Sequence, residues 1–356
     1  MPFAELRGQD AAIAVLRRMV ARDRVPGALL FLGPSHVGKR TAALALAQAL
    51  NCERPVPATA GGPDACGTCG PCRRIASGSH PDIEVLAPDG QFIKIDQIRA
   101  VSERLGLNPL EARRRFVVLS QAERLNLQAA NAFLKTLEEP PPDTTLVLCA
   151  TESGALPETI VSRCLPVRFV PLTDAVLLGL LQAQLDAASA KKGRGKPEGA
   201  EMDSAVLAFA VRFAQGSLRP ELREQAAGWY ALRDELLAAL DELPEGADIA
   251  GDRLTRFSAK EDHPFVLEWL ETWWRDVAVL AAGGEAGTLI NADRRAQLEA
   301  WPRKVSVPEA LACYRRVLAT RDALQVNVNG ALAFEGLWLG FKHSMGETGR
   351  PARKQA

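Results

Sequence analysis

The chain has 356 residues, with 43 Lys and Arg against 43 Asp and Glu, so its formal net charge is zero; 47% of residues are hydrophobic and 24% charged. That balance describes a folded chain of two or three domains, excludes wholesale disorder, and argues against a protein that coats nucleic acid by bulk positive charge. No long apolar run occurs and the opening MPFAELRGQD is not a secretory leader, so no membrane span and a cytoplasmic location are the expectations.

Helical spacing of apolar residues over 9–22 predicts a helix, and GALLFLG at 27–33 a buried strand ending at a glycine. The Ala/Leu-rich stretch from Arg40 to Ala49 predicts the next helix. Residues 51–81, rich in Cys, Pro and Gly, read as an insertion. Strands are then expected in DIEVLAP and FIKI (92–95), a helix in DQIRAVSERLG, a buried strand at 116–120, a helix from Asn126 to Glu139, and a third buried strand at 145–150. Alternating strands and helices imply a mostly parallel, helix-covered sheet. Beyond Phe169 the strand-like runs stop and the chain becomes helical, with polar loops at 190–201 and 244–252 and amphipathic segments at 264–283 and 307–341.

Gly33 to Lys39 fits G-x-x-x-x-G-K between strand and helix, where backbone N–H groups and a helix N-terminus hold phosphate oxygens. Gly33, Gly38, Lys39 and Thr41 are therefore the candidate nucleotide-binding residues. The position after Lys39 should carry a hydroxyl for magnesium, but it is Arg40, which has no acceptor, and Thr41 comes one place late. The acidic pair expected after the strand at 116–119 is replaced by Ser120 and Gln121, and neither is charged. Two independent defects predict a phosphate loop that does not hydrolyse ATP. Binding without turnover, or a loop kept only as a turn, both remain compatible with the residues.

Cys66, Cys69 and Cys72 are spaced C-x-x-C-x-x-C, with Cys52 as the fourth thiol. Four thiolates without an open position suit structural zinc, with an iron–sulfur cluster as the alternative and a redox disulfide as a third reading. Cys149, Cys164 and Cys313 read as small core residues.

With these features in order, the chain resembles bacterial clamp-loader proteins of the AAA+ class. The resemblance is carried by Gly8-Gln9, the loop 33–39, the four cysteines, Ser79-His80-Pro81-Asp82, the helix ending Leu134-Lys135-Thr136-Leu137-Glu138-Glu139-Pro140-Pro141, Thr151 and Ser162-Arg163-Cys164. Gly216-Ser217-Leu218-Arg219 and Asn327-Val328-Asn329 extend it. It implies an α/β AAA+ P-loop domain with a parallel sheet at 1–168 and a zinc-binding insertion at 52–72. A helical lid at 169–220 follows, then an all-α C-terminal collar domain at 221–345 and a disordered tail at 346–356. Structural zinc on Cys52, Cys66, Cys69 and Cys72 is implied, and nucleotide, if held, is not hydrolysed.

Within the family the chain is most similar to the member that keeps the fold without a working ATP site, acting beside gamma or tau and delta subunits. The implied assembly belongs to a DNA polymerase III holoenzyme and loads a sliding clamp onto primed DNA. An ATP-hydrolysing gamma/tau-type subunit is the alternative, and a zinc-stabilised adaptor outside replication a third. The length is expected to leave no room for the C-terminal extension of a tau-type motor.

Arg163 follows LPETIVS, read as a helix, so its side chain can emerge at a domain edge. The resemblance implies that it enters the ATP site of the adjacent subunit, whereas its spacing alone favours a local salt bridge. Thr151 and Arg219 fall where the family places nucleotide-sensing residues, with structural contacts expected now. The basic runs Arg113–Arg115 and Lys191–Lys196 are expected to be solvated, and Trp269, Trp273 and Trp274 to be core or interface anchors.

Overall fold

Strands β1 (Ala28–Leu32), β2 (Val56–Pro57), β3 (Pro63–Asp64), β4 (Ile83–Leu86), β5 (Arg115–Leu119), β6 (Thr144–Ala150) and β7 (Leu165–Arg168) are seen in a computed structural model that describes residues 1–57, 62–191, 202–243, 255–301, 305–326 and 328–346. Five of them form one all-parallel sheet in the order β4-β5-β6-β1-β7, while β2 and β3 pair as a short antiparallel ribbon in the cysteine-rich insertion. Helices α1 (Asp10–Ala21), α2 (Lys39–Asn51), α3 (Gly70–Ser77), α4 (Ile95–Leu105), α5 (Leu127–Glu138) and α6 (Glu158–Val161) complete this unit, which runs Met1–Leu180 with Gly216–Arg219.

The sheet is buried on both faces because successive strand residues point to opposite sides. Leu29, Phe31, Phe116, Val118 and Val147 meet Ile13, Leu16 and Leu46 of α1 and α2. Ala28, Leu30, Val117, Leu146 and Leu148 meet Ile98, Val101 and Phe133 of α4 and α5. This is the helix-covered parallel α/β core that the alternating pattern predicts.

Three local readings differ. The expected strand at 92–95 is only a pair of bridges: Asp89 N–H turns back to the Phe92 carbonyl (3.1 Å), Ile93 N–H bonds the Arg124 carbonyl (2.8 Å), and α4 already begins at Ile95. The apolar signal was real, since Ile93 is fully buried, but it marks a plug rather than a strand. Strand β7 went unread because LPVR is short, contains Pro166 and exposes three of its four residues, as an edge strand does. The basic triplet at 113–115 is not simply solvated. Arg114 Nε donates to Thr145 Oγ1 (2.7 Å) and its Nη2 to the Val25 carbonyl (2.7 Å). Arg115 is buried, its Nη1 donating to the Arg104 carbonyl (2.9 Å) and its Nη2 to that of Leu107 (2.5 Å).

The second unit, Leu181–Gln215 with Pro220–Ala356, contains only helices among its described residues. They include α8 (Ser204–Phe213), α9 (Glu221–Glu242), α10 (His263–Ala281), α11 (Val307–Gln325) and α12 (Gly330–Gly346); α7 (Asp174–Lys191) starts in the first unit and continues into the second. Trp269, Trp273 and Trp274 are fully buried on α10, Trp269 stacked on Trp273 at 5.3 Å and Trp274 edge-on to Trp301 at 5.4 Å, so they are core. The segment 307–341 is two helices, α11 ending at Gln325 and α12 beginning at Gly330. Ala190 and Lys191, expected to open a loop, still belong to α7, while the rest of the loop expected at 190–201, the loop at 244–252, the basic run beyond Lys191, Asn327 and all but Gly346 of the expected tail lie outside the described residues. Among the described residues no helix is long and apolar enough to cross a membrane.

Candidate functional site

Nucleotides bind parallel α/β sheets outside the carboxyl ends of the strands, and the loop Gly33–Gly38 stands there, between β1 and α2. Gly33 has φ +149°, and a Cβ on it would lie 2.3 Å from the Phe169 carbonyl oxygen, so only glycine allows this close approach. Gly38 precedes α2 in the left-handed region at φ +99°.

Lys39 does not reach outward. Its ammonium donates to the carbonyls of Gly33 and Pro34 at 2.5 Å each, and burial lowers its pKa, opposed by Cys149 and Glu123. Two further braces hold the loop. Ser217 Oγ donates to the Ser35 carbonyl (2.8 Å) and Leu218 N–H to that of His36 (3.2 Å). The buried Gln9 amide donates to the carbonyls of Val37 (3.2 Å) and Val170 (2.7 Å) and accepts from Val170 N–H (3.0 Å). Gln9, Ser217 and Leu218, which the sequence marks only as family features, thus act on the loop itself.

The positions expected to serve magnesium carry no carboxylate. Arg40 is exposed, and Thr41 lies one residue further along α2. At the end of β5, Ser120 N–H bonds the Leu86 carbonyl (2.8 Å), while Gln121 is exposed in the left-handed region at φ +55°. Sequence reasoning overlooked Glu123, which acts electrostatically on Lys39 from the turn after β5; the signal available was an acidic residue two places beyond the missing pair. Thr151, at the end of β6, is exposed and its carbonyl accepts Gly33 N–H (3.2 Å).

Arg163 lies at the other end of the sheet. β7 starts at Leu165, paired in parallel with Leu29 near the start of β1, whereas the phosphate loop leaves the far end of β1. Four rises of about 3.3 Å put roughly 13 Å of strand between Leu29 and Gly33. Arg163 is part-exposed and donates from Nε (2.9 Å) and Nη2 (2.6 Å) to Glu138 Oε1 and from Nη1 to the Thr159 carbonyl (2.9 Å).

Cys52, Cys66, Cys69 and Cys72 come together with all four Sγ atoms within 4.8 Å of one another, Cys52 to Cys69 at 3.9 Å. Tetrahedral zinc with bonds of about 2.3 Å needs sulfurs about 3.8 Å apart, so the set fits that ion. N–H and O–H donors on Thr68, with Cys69 N–H, bring the half-buried Cys66 thiol down to about 6, whereas burial raises those of Cys52 and Cys72. The module has almost no other apolar core, Ala65 alone joining the cysteines, so a metal would replace one.

Two family models match in succession: "DNA polymerase III, delta subunit" over residues 8–173 and "DNA polymerase III, delta subunit, C terminal" over 227–343. The chain is 38% identical over 164 residues to the DNA polymerase III subunit delta' of Bacillus subtilis, covering 46% of this chain and 48% of that one. It is 42% identical over 153 residues to the delta' subunit of Pseudomonas aeruginosa, covering 42% and 45%. The chain belongs to the DNA polymerase III delta-prime family. The matched part spans about half the length of those two relatives. The DNA polymerase III subunit tau of Escherichia coli is also similar, 31% identical over 240 residues, covering 67% of this chain and 33% of that one.

In this delta-prime family member the remaining cysteines are internal. Burial pushes the thiols of Cys149 and Cys313 up to about 12 and that of Cys164 to about 11. The Ser79–Asp82 motif is a brace. Asp82 accepts N–H bonds from Leu110 (2.9 Å), Glu111 (2.8 Å) and Ala112 (2.9 Å) and so fixes the turn leading into β5.

Proposed function

We propose that this chain is the non-hydrolysing delta-prime subunit of a DNA polymerase III clamp loader, working in the cytoplasm beside gamma or tau and delta subunits to place a sliding clamp on primed DNA. Its contribution to ATP chemistry is Arg163, presented in trans to the ATP site of a neighbouring subunit. The observation that carries this reading is the separation of Arg163 from the chain's own phosphate loop, at opposite ends of β1 and β7. A guanidinium there serves no phosphate held on Gly33–Lys39, yet it is available to one brought against that edge. Its planar donors suit the charge that develops on a transferring phosphoryl group.

The chain's own site supports the same division of labour. None of Arg40, Ser120 and Gln121 carries a carboxylate to ligate magnesium or act as a general base, and the nearby Glu123 acts on Lys39. Lys39 spends its donors on loop carbonyls. Gly33, Gly38, Lys39 and Thr41 then form a retained structural loop, with nucleotide bound without turnover if at all. Zinc on Cys52, Cys66, Cys69 and Cys72 is structural, the four thiolates leaving no open position for substrate. The lid at 169–220 and the collar at 221–345 complete the proposed arrangement, the collar joining the other subunits.

The similarity to a tau subunit supports a second reading, an ATP-hydrolysing gamma/tau-type subunit, and one assay separates the two. Steady-state ATP hydrolysis by the purified chain should be at background and unaffected by Lys39→Ala. Turnover abolished by Lys39→Ala would instead make it a motor subunit.

A further inference from the structure

Resting on that reading of Arg163, we propose that Glu138 is its positioning residue, holding the guanidinium in the posture from which it meets the neighbour's phosphate. A long arginine on a surface ordinarily samples many rotamers, and fixing one loses conformational entropy at the moment of use. Here that ordering is built in. Glu138 is the last residue of α5, Arg163 follows α6, and a single carboxylate oxygen, Oε1, receives both Nε–H and an Nη2–H, while Nη1 is tied to the Thr159 carbonyl and lies 3.4 Å from Ser162 Oγ.

The anchor is itself fixed. Immediately after Glu138–Glu139, Pro140 packs against Gly27 at the start of β1, where any Cβ would approach the Pro140 ring to 2.6 Å. Helix α5 is held at its other end by the Asn126 side chain, which accepts Ala129 N–H at 2.8 Å.

A guanidinium carries five N–H donors, and Glu138 and Thr159 take three. At least one on Nη2 stays free, so an incoming phosphate oxygen can bind without breaking the pair. Glu138 is about half exposed, as is its partner to a lesser degree (side chains 49% and 35%), so the pair contributes little to folding and its geometry is the better account of its presence.

The test uses the full chain in a reconstituted loader with gamma or tau and delta subunits, measuring clamp- and DNA-stimulated ATPase as kcat and as KM for ATP. Glu138→Ala should lower kcat about threefold, the scale of one oriented surface pair, and leave KM unchanged. Glu138→Gln, which keeps an oxygen acceptor without the charge, should fall between. In an Arg163→Ala background the Glu138 substitutions should have no further effect. Full activity of Glu138→Ala beside a crippled Arg163→Ala overturns this inference and spares the finger. Equal losses from Glu138→Ala with and without Arg163 overturn it as well, since the glutamate would then act elsewhere. An inert Arg163→Ala overturns the finger and the inference together. Unchanged co-elution of the subunits and unchanged metal content show that each variant is folded.

Discussion

Removing Cys69, one of the four proposed zinc ligands, tests how the insertion is held and what it holds. Cys69→Ser takes a thiol whose residue is 2% exposed from a cluster in which Ala65 is the only other buried apolar residue among those described. Structural zinc in small modules contributes on the order of 10 kcal/mol, far more than that residual core can replace, so the insertion should unfold locally. The two large clusters on the sheet faces are separate from it and should persist.

The distant consequence is at the N-terminus. Asp64, on β3 of the insertion, accepts Phe3 N–H (3.0 Å), Ala4 N–H (2.9 Å) and Arg17 Nη2 (3.3 Å), and Gln48, which donates to the Cys72 carbonyl (2.6 Å), receives the terminal ammonium (2.7 Å). Two N–H bonds to a carboxylate contribute about 3 kcal/mol together, so amide protection at Phe3 and Ala4 should fall about 100-fold. Hydrogen exchange followed by mass spectrometry reads this directly, alongside metal analysis showing one equivalent of zinc in the unaltered chain and less than half in the variant. Phe3 and Ala4 exchanging as slowly in Cys69→Ser as in the unaltered chain would refute the coupling.

Gly216→Ala should loosen the brace over the phosphate loop. At φ +84° its new Cβ would sit 2.5 Å from Pro171 Cβ, and a loss of about 2 kcal/mol is expected, read as faster exchange at Leu172, whose N–H bonds the Gly216 carbonyl. Asp82 gives a pH prediction. Burial alone would raise its carboxyl, but the N–H groups of Glu111, Leu110 and Ala112 outweigh burial and hold it below the usual carboxylate range. A depressed folded pKa contributes stability that is present above the unfolded value of about 3.9 and lost as pH falls through the folded one. Urea midpoints should therefore drop less steeply between pH 5 and acid in Asp82→Asn than in the unaltered chain, and parallel curves would contradict the bracing role. The internal Cys149, Cys164 and Cys313 should resist iodoacetamide at about pH 8, where a thiol displaced to 11 or 12 is almost wholly protonated.

Much of the site was legible because its chemistry is local in sequence. The loop 33–39 sits between a strand and a helix that their own apolar patterns announce, and Cys66, Cys69 and Cys72 lie within one turn-rich segment. Cys52 joined them correctly although it sits at the end of α2. What escaped reading depends on partners distant in sequence. Gln9 contacts Val170, Ser217 contacts Ser35, and Arg114 contacts Val25, and no periodicity encodes those meetings. Charge patterning placed Arg114 and Arg115 in water because a buried arginine looks like any other until the carbonyls around it are known. β7 was lost for the opposite reason, since an edge strand buries too little to leave an apolar run. Arg163 is singled out by its motif alone, and its separation from the chain's own loop is visible only in the parallel register of β1 and β7.

The central claim is that this chain acts on a neighbour's ATP and not on its own. The most direct measurement is clamp- and DNA-stimulated ATPase of the reconstituted loader carrying, in this chain alone, either Arg163→Ala or Lys39→Ala. The account predicts a fall of about tenfold with Arg163→Ala, part of the rate a finger supplies at a single site, and an unchanged rate with Lys39→Ala. Loss with Lys39→Ala and full activity with Arg163→Ala would contradict it.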